Sequence, residues 1–338
     1  MSTYDTIWYT RCPVPTATGI AADLGWLTAE FASDGIEVRS LQDVSRAEAA
    51  DFHYTHAHPG LFREGGNVPA LWARSRGEET RLIGLTWIEE RQVIHVREDS
   101  PVVEPGQLKG LRLAIPRHDI AIDFWRAMAL HGFGGALGVA GLTLDDAELV
   151  EVPAGPPAPQ RDQVGRAAGQ WEAEFAALAS GEVDAVYTKG AVALETAKRY
   201  PSRIAVELDE VPDRRFRVNN GTPRPITVHQ RLLDERPDIA VRFLSVLVRA
   251  ANWAAGNPDG TARILAEETG SGPAGVTGAY TRASRFRDLH ADLSPERLDL
   301  LTEQEHFLRA HGFLGSPVQV PTWADGAPLR AALQENPR

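Results

Sequence analysis

Cys12 is the only cysteine of the 338-residue chain, so no disulfide can form within it. It follows the β-branched and aromatic stretch Thr6-Ile7-Trp8-Tyr9 and opens the segment Cys12-Pro13-Val14-Pro15. A strand running into such a turn delivers a thiol to the edge of an α/β sheet where ligands bind. Arg11 precedes it, and a positive neighbour favours the thiolate over a thiol whose ordinary pKa is about 8.5. A buried, inert cysteine fits the same residues, because free Cys is among the most buried residue types.

The second stretch with chemical content is Phe52 to Pro69, which places His53, Arg63 and the pair Gly65-Gly66 in what reads as one loop. The planar guanidinium of an arginine matches two oxygens of a carboxylate, sulfinate or sulfonate. Glycines 65 and 66 let bare backbone N–H groups approach the same oxygens. An imidazole such as His53 can hydrogen-bond a thiol and tune its proton. Each residue alone has a plain alternative: a surface histidine, a solvated arginine, an ordinary turn. Their conjunction with Cys12 is what points to an anion-handling site. The chain has no CxxC, no HExxH and no Cys/His cluster, so a structural zinc site has no support in the sequence.

The elements that must position these residues alternate between strand and helix. Strands are expected at 6–9, 35–38, 81–86, 92–96, 111–115, 149–152, 204–206 and 225–228, and late in 180–187. Helices are expected at 18–32, 119–130, 171–178, 238–254, 261–269 and 294–311, with a rigid loop over Gly155-Pro156-Pro157-Ala158-Pro159. The His-rich stretch 45–59 has no periodicity. This length suits two domains of roughly 100–200 residues each. A hydrophobic content of 43% and a charged content of 24% are those of a globular protein. The net charge of −11 argues against nucleic acid or an anionic membrane as partner, since both need clustered Lys and Arg. No apolar run approaching the ~18 residues of a membrane span is read. The opening residues carry no export signal, so a cytoplasmic, monomeric protein is expected.

The order of elements resembles the two-lobed periplasmic-binding-protein fold of the second type: α/β, with a mostly parallel sheet in each lobe. The expected lobes are 1–98 with 225–338, and 99–224, with the helical C-terminal segment on the first lobe and the active site in the cleft between them. Fold alone leaves enzymes and transport proteins equally open. Cys12 in Cys-Pro-Val-Pro, His53, Arg63 ten residues later, Gly65-Gly66 and Pro69 resemble the motifs of the aromatic sulfinate desulfinase family. The likeness continues through Val96-Arg97-Glu98-Asp99-Ser100-Pro101, Trp125 and Ser180 to Tyr187, and so covers most of the chain.

The resemblance implies hydrolytic desulfination of 2'-hydroxybiphenyl-2-sulfinate or a related aryl sulfinate to arene and sulfite, without metal or organic cofactor. It makes Cys12 the essential thiol, as nucleophile or proton donor. Arg63 would clamp the sulfinate oxygens, with the N–H of Gly66 completing the oxyanion site, and His53 would lie near thiol and substrate. Trp125 would wall an aromatic pocket, unless it is core. The family carries a longer insertion after the strand at 111–115, and tryptophans after the segment equivalent to Val183-Asp184-Ala185-Val186-Tyr187. Here Tyr187 leads instead into Thr188-Lys189-Gly190. Lys189 is therefore either a solvated lysine or a partner for a second anionic or hydroxyl group on the substrate. The rival function is a solute-binding protein for a small organic anion: a sulfonate, nitrate or a pyrimidine-like ligand.

Overall fold

The computed structural model describes residues 4–12, 14–43, 52–56, 58–154, 171–280, 286 and 289–336. The expected loop at 155–159 lies outside them. The chain divides into two compact units, Met1–Ile88 with Gly221–Leu265 and Ser284–Arg338, and Glu89–Asn220 with Ala266–Ala283.

The first unit is built on a five-stranded sheet of order β2-β1-β3-β10-β4. Its strands are β1 (Thr6–Tyr9), β2 (Glu37–Ser40), β3 (Leu61–Glu64), β4 (Thr80–Thr86) and β10 (Arg224–His229). β1 runs parallel to β2 and β3, whereas β10 runs antiparallel to β3 and β4. The second unit repeats the plan with order β7-β6-β8-β5-β9. Its strands are β5 (Gln92–Arg97), β6 (Arg112–Arg117), β7 (Glu148–Pro153), β8 (Ala185–Lys189) and β9 (Ser202–Glu207). Here β5 is the reversed strand, antiparallel to β8 and β9. Each sheet is thus mostly parallel, as expected, with one opposed strand.

Three expectations need correction. The boundary placed after residue 98 falls earlier, after Ile88, because β5 takes its ladder partners from the second unit. The return boundary likewise falls before Gly221, and 266–283 belongs to the second unit. The helix expected over 18–32 is two helices, Ala17–Asp23 and Trp26–Phe31, since Gly25 turns left-handed at φ +72°. That conformation is open to glycine and ends a helix.

The helix Pro237–Gly256 is long and apolar enough to cross a membrane by length and composition, contrary to the reading of the sequence. Most of it is buried, and it packs against Ala17–Asp23 and Ala327–Glu335 as the core helix of the first unit. Phe243 on this helix stacks on Phe62 of β3 with ring centroids 3.9 Å apart. The C-terminal segment docks on the same unit: Trp323 Nε1 donates to Thr80 Oγ1 at 3.1 Å, and the Asp325 N–H donates to the Leu82 carbonyl at 2.8 Å.

Candidate active site

The stretch expected to be a loop around Arg63 contains strand β3, four buried residues between β1 and β10. Alternation along a strand sends Phe62 and Glu64 to one face and Arg63 to the other. Phe62 fills the core on Phe243, so Arg63 projects from the opposite side. It is nevertheless 0% exposed. Its Nη1 donates to the Gly66 carbonyl at 2.9 Å, while Nε and Nη2 have no partner among the described residues. Those two N–H groups form the side of the guanidinium that grips two oxygens at once. Burial lowers the Arg63 pKa to about 10; Cys12 and Tyr54 oppose the shift and Arg224 adds to it. The group therefore stays cationic at neutral pH.

Gly65 is required by this arrangement. A Cβ there would stand 2.8 Å from Arg63 Cζ and Nη1, inside contact distance. Gly66 precedes the helix Asn67–Ser75 as its N-terminal cap residue, and its carbonyl holds Arg63.

Cys12 reaches this place because β1 lies beside β3. Past the end of β1, the Thr10 N–H donates to the Phe62 carbonyl at 3.2 Å and Thr10 Oγ1 to the Glu64 carbonyl at 3.1 Å. Cys12 Sγ donates to the same Glu64 carbonyl at 3.4 Å. The thiol is partly exposed and free. Glu64 itself is buried and accepts from Thr18 N–H at 3.1 Å, Thr18 Oγ1 at 2.6 Å and Thr86 Oγ1 at 3.2 Å. Burial pushes its pKa up against these hydrogen bonds. Glu64 thus ties β3 to the helix that follows Cys12, a role not foreseen because nothing in its spacing sets it apart.

Residues 52–55 are helical. Phe52 packs on the Trp8, Leu41 and Leu61 cluster, fixing this turn against the sheet. Of the three histidines here, His58 is structural: its Nδ1 accepts the Gly60 N–H at 3.1 Å and its ring meets Phe52 and Trp8 edge-on. His53 is partly exposed, with its ring edge-on to Tyr54 at 5.1 Å. Burial, with the charge of Arg63 adding to it, drives the His53 pKa down to about 3, so its ring is neutral. His56 is buried and also feels Arg63. Of the expected site residues, Cys12, His53, Arg63, Gly65 and Gly66 all fall on the first unit.

Trp125, Tyr187 and Lys189 belong to the second unit. Trp125 is partly exposed and meets Trp171 edge-on at 5.3 Å. Tyr187 is 2% exposed, its hydroxyl donating to Gln92 Oε1 at 2.7 Å and accepting from Asn219 Nδ2 at 2.9 Å. A Cβ at Gly132 would collide with its ring. This is a core position with little surface for a ligand, against the expected substrate contact. Lys189 is neither solvated nor idle: its Nζ lies 3.4 Å from Glu90 Oε2 and donates to the Asn220 carbonyl at 3.2 Å. Strand propensity alone does not reveal that Glu90 waits beside it. Among the described residues, no group of three or more His, Cys, Asp and Glu side chains is placed to hold a metal ion.

A partly exposed thiol and a buried arginine with two unpartnered N–H groups among the described residues lie on the first sheet of a periplasmic-binding-protein-like fold, a combination able to receive an anion. No family model matches the sequence. The chain is 30% identical over 357 aligned residues to the 2'-hydroxybiphenyl-2-sulfinate desulfinase of Rhodococcus erythropolis, an alignment covering 95% of this chain and 91% of that one. The Rhodococcus qingshengii desulfinase matches equally well. Among solved structures, the desulfurization enzyme DszB aligns with a TM-score of 0.74 at 27% identity, over 98% of this chain and 99% of that one. A cysteine-to-serine DszB variant in complex with biphenyl-2-sulfinic acid gives 0.76 at 27% identity, over 98% of this chain and 100% of that one. The aliphatic sulphonate binding protein SsuA of Escherichia coli shares the fold alone, with a TM-score of 0.69 at 13% identity over 95% of this chain and 92% of that one. The chain belongs to the 2'-hydroxybiphenyl-2-sulfinate desulfinase family.

Proposed function

We propose that the protein cleaves the carbon–sulfur bond of an aryl sulfinate hydrolytically, releasing the arene and sulfite, with Cys12 as the essential group. The observation that carries this reading is the buried Arg63, whose Nε and Nη2 have no partner among the described residues. A sulfinate offers two oxygens to that fork. Cys12 and Arg63 are linked through neighbouring residues of β3, since Cys12 Sγ rests on the carbonyl of Glu64.

The contact from Sγ to a carbonyl engages the protonated thiol, which favours Cys12 as proton donor. In that route the thiol gives its proton to the ring carbon bearing sulfur. The carbon–sulfur bond breaks, its electron pair returning to the ring, and SO2 leaves. Water adds to SO2 to give bisulfite, and the proton so released restores the thiol. The sum is aryl sulfinate plus water to arene plus bisulfite, with no redox change. Arg63 would hold the sulfinate oxygens so that the ring carbon faces the thiol during proton transfer, and His53 would supply a neutral hydrogen-bonding group beside them.

The solved complex of a cysteine-to-serine relative with biphenyl-2-sulfinic acid supports the class of ligand. The test is sulfite release from 2'-hydroxybiphenyl-2-sulfinate and simpler aryl sulfinates by wild type and Cys12→Ser. Sulfite that depends on Cys12 is the expected result, and none from any substrate would sink the reading. A mass adduct on Cys12 during turnover would replace proton donation by attack on sulfur.

A further inference from the structure

Hydrogen-bonding capacity left unmet in a buried place is costly and rare, so where such groups gather is informative. Around Arg63 they gather. Nε and Nη2 of Arg63, both ring nitrogens of His56 and Oγ1 of Thr227 have no partner among the described residues. Thr227 on β10 lies directly opposite Arg63 on β3, so the two side chains share a face of the sheet. His56 is 4% exposed, and Arg63, His53 and His229 are the ionisable groups that act on its ring. The backbone at His56 is left-handed at φ +55°, a conformation costly for a residue with a Cβ. Neither ring nitrogen of this strained residue has a partner among the described residues.

We propose that His56 is a further substrate-binding residue, whose ring N–H donates to a sulfinate oxygen gripped by Arg63, with the Thr227 hydroxyl donating to the same group. The inference rests on the aryl sulfinate reading and extends it. Each sulfinate oxygen has lone pairs enough to accept from the guanidinium and from a second donor. Burial, with the charge of Arg63 adding to it, holds the His56 pKa well below its ordinary value, so at neutral pH the ring is a donor that adds no charge. A second cation there would repel Arg63; a neutral imidazole does not.

The test is calorimetric titration of biphenyl-2-sulfinate into the Cys12→Ser protein, alone and combined with His56→Gly or His56→Asn. Glycine and asparagine both tolerate positive φ, so neither variant strains the turn, and only asparagine keeps an N–H donor. His56→Gly is expected to raise Kd about tenfold to a hundredfold, the loss of one hydrogen bond to a charged group, and His56→Asn to recover most of it. Thermal melts of both variants separate a local loss from unfolding. An unchanged Kd in His56→Gly, or equal weakening in the two variants, overturns the role of His56 while leaving the sulfinate reading intact. No binding by the parent protein would remove the sulfinate reading and this inference together.

Discussion

The two sheets share one strand order, and in each a buried cation sits at or next to the end of the strand beside the reversed strand. In the first it is Arg63 on β3, next to β10; in the second it is Lys189 on β8, next to β5. Lys189 is met by Glu90, whose carboxylate also accepts from Tyr280 Oη at 3.2 Å. Among the described residues, Arg63 donates to a carbonyl and meets no carboxylate. Burying a charge without an opposite charge is expensive, and a fold keeps such a group only where something else repays it. The same topology therefore holds an ion-paired cation in one unit and, in the other, the cation proposed here to hold a ligand. The imidazoles differ in backbone and surroundings, although both have ring nitrogens without a partner among the described residues. His95 of β5 lies buried edge-on to Phe175 at 5.1 Å, in a regular strand, whereas His56 sits in a strained turn under the influence of Arg63.

Substitutions at matching places sharpen this contrast. The largest effect is expected from Cys12→Ser, with sulfite release falling by roughly 10²–10⁴ as for loss of a general acid, and ligand affinity retained. Retained turnover would strip the first unit of its chemistry. Next, Lys189→Met strands Glu90 in the second unit and is expected to cost about 3–5 kcal/mol in denaturant unfolding, as for breaking a buried ion pair. Arg63→Met should cost no stability or add some, yet lower kcat/KM by about tenfold to a hundredfold. If the two variants destabilise equally, the distinction between the cations fails.

Acid stability probes the second unit through His95, whose pKa burial lowers to about 4, with Arg91 adding to the shift. Below pH 6.5 the unfolded chain binds a proton that the folded chain refuses. Stability is thus full above that pH and falls by roughly 3 kcal/mol as the pH drops to about 4. His95→Leu is expected to flatten this part of the stability curve, and an unchanged slope would show the imidazole to be hydrated. The smallest effect is assigned to Gly65→Ala, whose Cβ displaces the Arg63 guanidinium: kcat/KM drops about tenfold with little change in melting temperature.

Sequence patterns carried the alternation of strands and helices and the chemical identity of Cys12, Arg63 and Gly65-Gly66. β3 escaped because four residues, all buried, display no alternation of polar and apolar side chains. The break at Gly25 was hidden by Leu24, Leu27 and Phe31, which keep helical spacing across two helices. Lys189 and Tyr187 have protein partners that local sequence does not show, for a common reason. Their partners, Glu90, Gln92 and Asn219, are distant in sequence, and tertiary pairing leaves no local mark. His56 stood in plain view among three histidines, but only the backbone angle and the idle nitrogens separate it from its neighbours.

β10 is the last strand in the chain yet lies inside the first sheet, between β3 and β4. A ribosome has therefore delivered Cys12, His53 and Arg63, and then the entire run from Glu89 to Asn220, before the strand carrying Thr227 emerges. Until then the nascent chain exposes two unpaired edges, on β3 and β4, of the kind that invite wrong partners. Translation that stops short of Arg224 leaves a product with the thiol and the arginine but without the wall that confines them. In such a fragment Arg63 would be an ordinary hydrated cation, and the reactivity assigned to this protein would never appear.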